Sequence, residues 1–249
     1  MPIAGISIGL GLGGGTSATS SGAAGGGPPR APFIPNAKSV LFDGTNDFFN
    51  LASEITFTGA FTFSVWVKPV SGNEGFISTG HLGSAGPWVD WYGPAYGNKL
   101  VVSRMGNISG PHGVNSMVAG TWYNTVIIRD ASNEMKAYQN GSQVGSNSSF
   151  TGTAEFVMFA ARANGPATFL NGYLDEIAFW DDALTPSEIT AVYNSGVAGD
   201  LWAVSPPLHW YRLGDINSAS GVTIADIGSA ANNDGTLYNG PTYTTEVPS

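Results

Sequence analysis

The sequence predicts an all-β protein: a two-sheet antiparallel sandwich with one short helix, preceded by an extended N-terminal arm. Three observations predict it. Glycine and proline are abundant, 35 and 15 of 249 residues, against roughly 12% together in ordinary chains, which means many turns. Short runs that alternate apolar and polar residues recur between turn residues over 39–200, the pattern of many short strands. One segment stands out by carrying helix signals at both ends.

Taken in order, residues 1–38 form the arm. They hold ten of the glycines, and positions 16–27 contain only Gly, Ala, Ser and Thr. Such a stretch cannot bury enough apolar surface to offset its ordering entropy, and reads as a flexible linker. Before it, Ile6, Ile8, Leu10 and Leu12 alternate with Ser7, Gly9, Gly11 and Gly13. That is the strand period of two, with one apolar and one nearly bare face. A bare face lets another backbone approach closely. Ile6, Ile8, Leu10 and Leu12 are therefore expected to anchor the protein on another subunit, as an added strand or an apolar plug. The competing reading is a tail that merely alternates.

Residues 39–200 supply the strands. Phe61, Phe63, Val65 and Val67 alternate with Thr62, Ser64, Trp66 and Lys68. Residues 122–129 form another half-buried strand. A third, 135–138, runs into Asn140 and Gly141 and is followed by Val144. Asn-Gly between two such runs is a strong hairpin signal, because both residues tolerate positive φ. Residues 156–161 and 173–180 complete the clear strands. The helix begins at TPSE, residues 185–188, a capping box with proline at its first position. Ile189, Val192 and Tyr193 give it an apolar stripe, and Gly196 is expected to end it. Residues 201–249 show no second core. Trp210, Leu213, Ile224 and Leu237 are expected to close the first one, so this segment completes the sandwich or is appended to it.

Composition excludes several functions. Nine Lys and Arg against 18 Asp and Glu leave a net charge of −9, which repels phosphate and argues against nucleic acid. The chain has no cysteine, so disulfides, thiolate metal sites and cysteine nucleophiles are out. His81, His112 and His209 show no metal-ligand spacing. No segment has the 18 or so consecutive apolar residues of a membrane helix. The first charged residue is Arg30, and glycines interrupt the early apolar run, so no secretory signal is read. Cysteine-free composition agrees with assembly in a reducing cytoplasm.

The motifs then resemble a known family. VLFDGTND at 40–47, FTFSVWVKP at 61–69, GTW at 120–122 with Val126, and AYQNG at 137–141 come in the family's order. Residues 169–195 resemble its closing strand and helix nearly residue for residue. Together they resemble the laminin-G-like, concanavalin A-like jelly-roll superfamily over about 39–200, in a form found on bacteria and phages. Residues 208–240 resemble a phrase that usually precedes the domain and here follows it. The resemblance implies two antiparallel sheets packed face to face, one concave and one convex.

It also implies sites. Some relatives bind calcium through loop oxygens, and Asp43, Asn46, Asp47 and Asp175 occupy matching positions; hard oxygens suit that ion. The plain reading is that Asp43 and Asn46 form Asx turns and Asp175 makes a strand contact. Loops carry binding in many relatives, and Trp88, Asp90, Trp91, Tyr92 and Tyr96 supply rings and a carboxylate for a sugar. The alternative is that these rings pack in the core or at a subunit interface. Related glucanases set a carboxylate pair on one strand face. Here Asp175 and Glu176 are adjacent, so strand alternation places them on opposite faces, Asp175 with Ile177 and Phe179, Glu176 with Ala178 and Trp180. No enzyme is expected.

The combination predicts a structural virion protein of a tailed bacteriophage, made in the host cytoplasm. It would be a capsid decoration or head-fibre protein, held by its arm to a major capsid or tail protein, with the jelly roll outward. A homo-oligomer such as a trimer is expected. The alternative is a glycan-binding adhesin or tail fibre protein that recognises a surface glycan. A third reading is a bacterial carbohydrate-binding module, against which the unread secretory signal counts.

Overall fold

Two antiparallel sheets face each other, and the aromatic residues between them explain why. The computed structural model describes residues 32–70, 74–79, 88–92, 99–103, 117–147, 150–161, 169–215 and 221–249. The strands are β1 (Ser39–Asp43), β2 (Phe48–Phe57), β3 (Phe61–Pro69), β4 (Glu74–Thr79), β5 (Trp88–Tyr92), β6 (Lys99–Ser103), β7 (Tyr123–Arg129) and β8 (Met135–Gln139). They continue as β9 (Ser142–Asn147), β10 (Ala154–Phe159), β11 (Asn171–Trp180), β12 (His209–Tyr211), β13 (Thr223–Ile224), β14 (Gly235–Tyr238) and β15 (Thr242–Thr244). The helices are α1 (Pro186–Tyr193) and α2 (Leu201–Val204).

The first sheet runs β15-β1-β11-β3-β7-β8-β9, and β12 also pairs with β11. The second runs β13-β14-β2-β10-β4-β5-β6. Phe57 of β2 and Phe156 of β10 meet Phe61 and Phe63 of β3 and Phe179 of β11 between the sheets. Ring centroids lie 5.0 Å apart for Phe156 and Phe179 and 5.1 Å for Phe156 and Phe63. Tilted and edge-on contacts of this kind add to plain apolar burial.

Asn140 and Gly141 join β8 to β9 with φ of 51° and 75°, as the hairpin reading expects. The β3 strand departs from expectation. Its residues 61–67 are all buried, not alternately. Its outer face is covered too: Thr62 Oγ1 donates to Asp182 O and accepts from Leu184 N–H, and Trp66 stacks on Tyr193 of α1 at 5.9 Å. The helix thus buries its own apolar stripe, Ile189 and Val192, and roofs the sheet. Its capping box forms: Thr185 Oγ1 accepts from Glu188 N–H, and Glu188 Oε2 accepts from Thr185 N–H. The left-handed residue that stops it is Asn194, φ 46°, ahead of the expected Gly196.

The C-terminal segment supplies strands to both sheets, β12 and β15 to one, β13 and β14 to the other. Leu213, Ile224 and Leu237 join the core. Trp210 does not; Tyr211 takes the inward position, because β12 pairs Tyr211 with the inward Ile177 and Trp210 with Ala178. Residues 34–249 form one compact unit. The expected anchor, Ile6, Ile8, Leu10 and Leu12, lies outside the described residues. Among the described residues no helix is long and apolar enough to cross a membrane.

Candidate functional site

The outer face of the second sheet carries an aromatic pair. Inward residues of β2 and β14 are Phe49, Leu51, Gly235 and Leu237; Phe49 and Leu237 face each other across the ladder. A Cβ at Gly235 would meet the Phe49 ring at 2.2 Å, so only glycine lets β14 approach β2 here. The period of two then turns Phe48 and Tyr238, also directly paired, to the outside. Their rings stack 4.7 Å apart and 11° from parallel. Tyr238 is 43% exposed. The next outward row is Thr236, Asn50 and Met158, all half-buried. The result is an apolar plane beside an amide and a hydroxyl, with no charged side chain in these two rows.

The expected sugar residues Trp88, Asp90, Trp91 and Tyr92 make up β5, which lies between β4 and β6 of the same sheet. Their side chains, and Tyr96 entirely, lie outside the described residues. Sequence reasoning missed Phe48 and Tyr238. The signal was present: Phe48 and Asn50 alternate with Phe49 and Leu51, and Tyr238 sits in GTLYNG, but no local pattern says that the two strands pair.

The expected calcium set does not assemble. Asp43, Asn46 and Asp47 share the turn from β1 to β2 and are tied up there. Thr45 N–H donates to Asp43 Oδ1 at 2.7 Å, and Asp43 N–H to Asp47 Oδ2 at 3.2 Å. Burial, with Asp43 nearby, raises the Asp47 carboxyl. Asn46 O accepts from Asn239 Nδ2. Asp43 pairs with Asn171 of β11, whereas Asp175 lies beyond the Leu174–Val40 pair, four residues along, about 13 Å at strand rise. Among the described residues no three His, Asp or Glu are grouped so that they could hold a metal ion.

Asp175 and Glu176 instead build a buried polar cluster. The register of β11 against β3 slips by one residue between Asp175 and Ala178, and Glu176 has φ of 49°. This β-bulge corrects the alternation argument. Leu174 and Ile177 both face the core, so two residues, not one, lie outside between them. Asp175 and Glu176 share the outer face with Ala178 and Trp180. Glu176 accepts from Arg212 Nε at 2.9 Å and from Trp210 Nε1 at 2.5 Å. Arg212 Nη2 also donates to Asp215 at 2.9 Å. Asp175 Oδ1 accepts from Glu176 N–H and Oδ2 from Asn36 Nδ2, both at 2.8 Å. Burial, then Glu176, raises Asp175 well above its ordinary value. Burial outweighs Arg212 and lifts Glu176 to about 7. Three buried carboxyl groups, only two of them paired with the Arg212 guanidinium, cannot all ionise cheaply out of water. Nearby, His209 Nδ1 and Asp226 Oδ2 lie 2.6 Å apart, and Asp226 Oδ1 accepts from Trp210 and Gly228 N–H. That carboxylate pins β12 to the turn after β13.

Residues 43–190 match the family described as the concanavalin A-like lectin/glucanases superfamily. Among solved structures, the chain is similar to a candidate carbohydrate binding protein from Bacteroides ovatus, with 16% identity and a TM-score of 0.63 over 86% of this chain and 62% of that one. This chain therefore spans about 62% of that protein's length. It is also similar to the native heptameric SAP-like pentraxin from Limulus polyphemus, with 14% identity and a TM-score of 0.57 over 86% of this chain and 98% of that one. At such identities the likeness is one of fold. No curated protein sequence matches the chain.

Proposed function

The chain belongs to the concanavalin A-like lectin/glucanase superfamily, and from that membership we propose that it is a non-catalytic glycan-binding module. The match over residues 43–190 carries the reading. The superfamily's description offers two chemistries, and the carboxylates favour the first. Glycoside cleavage needs two carboxyl groups flanking a bound sugar, roughly 5–9.5 Å apart. The adjacent pair, Asp175 and Glu176, is 0% and 3% exposed, and its oxygens are engaged by Asn36, Trp210 and Arg212. The bulge puts both on one face, but under a roof.

Binding falls to the second sheet. The rings of Phe48 and Tyr238 offer a plane for the C–H face of a pyranose, with Asn50 and Thr236 in reach of its hydroxyls. Strand β5, with Trp88, Asp90, Trp91 and Tyr92, is the second aromatic stretch of that sheet, and Tyr96 follows it. The Bacteroides protein, described as a candidate carbohydrate binding protein, supports the same direction. A neutral-glycan array and a reducing-end release assay test the proposal. The expected outcome is binding to at least one neutral glycan, reduced by Trp91→Ala or Tyr238→Ala, with no release. An empty array, or cleavage, would sink it.

The narrower reading as a virion subunit combines residues 1–38 with the jelly roll and the cysteine-free composition, and the lectin-like relatives favour glycan binding over it. Attachment through Ile6, Ile8, Leu10 and Leu12 is part of that narrower proposal. Deleting residues 1–13 and assaying co-assembly tests it; normal incorporation would remove it.

A further inference from the structure

A hydrogen bond clasps the turns on either side of the aromatic pair. Asn239 follows Tyr238 directly, and its Nδ2 donates to Asn46 O at 2.7 Å. Asn46 lies in the turn from β1 to β2, two residues before Phe48. The chain leaving one ring is thereby tied to the chain entering the other.

The donor of this clasp has a reactive neighbour. Where glycine follows asparagine, no Cβ keeps the glycine backbone nitrogen from reaching the asparagine Cγ. Four positions carry this pair, 140, 164, 171 and 239, of which 164 lies outside the described residues. The fold treats the other three differently. Asn140 N–H donates to Asn124 O at 2.9 Å, and Asn140 Oδ1 accepts from Asn124 N–H at 3.0 Å. The Gly141 that follows is packed against Tyr193 of α1, so neither residue can turn. Asn171 and Gly172 lie within β11, paired with Asp43 and Phe42 of β1. Extended backbone stands the Asn171 side chain away from the chain direction and from the next nitrogen. Asn239 and Gly240 lie outside any strand, and both are exposed. Their φ angles are 68° and 103°, and a Cβ built on Gly240 would meet nothing within 4 Å. The clasp itself is exposed, so it opens at little cost. Side chain and backbone here have room to rotate into the ring-closing geometry.

We propose that Asn239 is a site of spontaneous deamidation, and that its product opens the clasp beside Phe48 and Tyr238. The Gly240 backbone nitrogen attacks Asn239 Cγ. The N–Cγ bond forms, the Cγ–Nδ2 bond breaks, and ammonia leaves with the proton from Gly240. Water then opens the five-membered imide at one carbonyl or the other, leaving aspartate or isoaspartate. The net change is one water in and one ammonia out, with no oxidant or reductant. The new carboxylate can only accept hydrogen bonds, so it cannot serve Asn46 O. It also adds negative charge beside a turn that already holds Asp43 and Asp47. The conversion does not depend on which ligand the rings take.

The test is peptide mass spectrometry of the full chain held at pH 8 and 37 °C. Asn239 should convert at least tenfold faster than Asn140 and Asn171. In 8 M urea, where only the shared Asn-Gly pair remains, the three rates should converge. Native conversion of Asn140 or Asn171 that keeps pace with Asn239 overturns the proposal. So does a native Asn239 that stays intact while the unfolded chain converts. Asn239→Asp carries the product's charge and should melt about 2 °C below the unmodified chain, as loss of a hydrogen bond in a chain of this size predicts. Equal melting temperatures would show that the product leaves the clasp unchanged, and would overturn that half of the proposal.

Discussion

Arg129 shows how far a single side chain can hold two connections together. It is fully buried with no carboxylate among its hydrogen-bond acceptors. Its guanidinium donates to Gly59 O at 2.6 Å, Gly152 O at 2.5 Å and Phe57 O at 2.9 Å, and lies against the rings of Phe61 and Phe150 at 5.3 Å and 5.2 Å. It ties the turn between β2 and β3 to the segment before β10. Arg129→Met keeps the stem but strands three carbonyls, so a loss of about 3 kcal/mol is expected by urea denaturation. Glu176 gives a pH dependence with a definite sign. Its folded proton affinity is raised, from 4.5 to about 7. The folded state therefore holds a proton that the unfolded state releases, and stability falls as pH rises from about 4.5 through about 7. The urea midpoint should be lower at pH 8 than at pH 5, and Glu176→Gln should flatten part of that slope. A midpoint that rises over this interval would contradict the cluster as described.

At the scale of elements, what was legible was local. The capping box of α1, the Asn-Gly hairpin and the strand runs of β3, β7, β8 and β11 are each written in neighbouring residues, and each forms. What was not legible depends on pairing. Nothing in the sequence around Asp175 announces a bulge, because Glu176 is not a residue that favours positive φ. The bulge arises where β11 exchanges one edge partner, β1, for another, β12. Trp210 was misplaced for the same reason, since its face follows from that exchange. The aromatic platform was hidden because β2 and β14 are nearly two hundred residues apart in sequence. Two element-scale outcomes follow. Thr185→Ala should cost about 1 kcal/mol in thermal or urea unfolding through loss of the helix cap. Gly141→Ala should cost about 1 kcal/mol or more, because φ is 75° and the new Cβ would press on Tyr193 at 3.3 Å.

At the scale of the molecule, the family motifs over 39–200 predict the sandwich but not how it closes. The last fifty residues place strands beside β1 and β11 in one sheet and beside β2 in the other, and Arg212 neutralises charge in the Asp175–Glu176 cluster. A chain ending at residue 200 would expose strand edges in both sheets and leave Glu176 buried without its cation. It should fail to give a cooperative thermal transition by circular dichroism, whereas a folded, cooperative 1–200 fragment would show the tail to be an appendage.

Under the proposed function, the roofed carboxylates of the first sheet leave recognition to the second, where Tyr238 is exposed. The most direct measurement is calorimetric titration of the strongest array glycan into the unmodified chain and into Tyr238→Ala, with melting temperatures recorded for both. The account predicts at least tenfold weaker binding in the variant, about 1.4 kcal/mol, with the fold intact. Equal affinity in a folded Tyr238→Ala protein would contradict it.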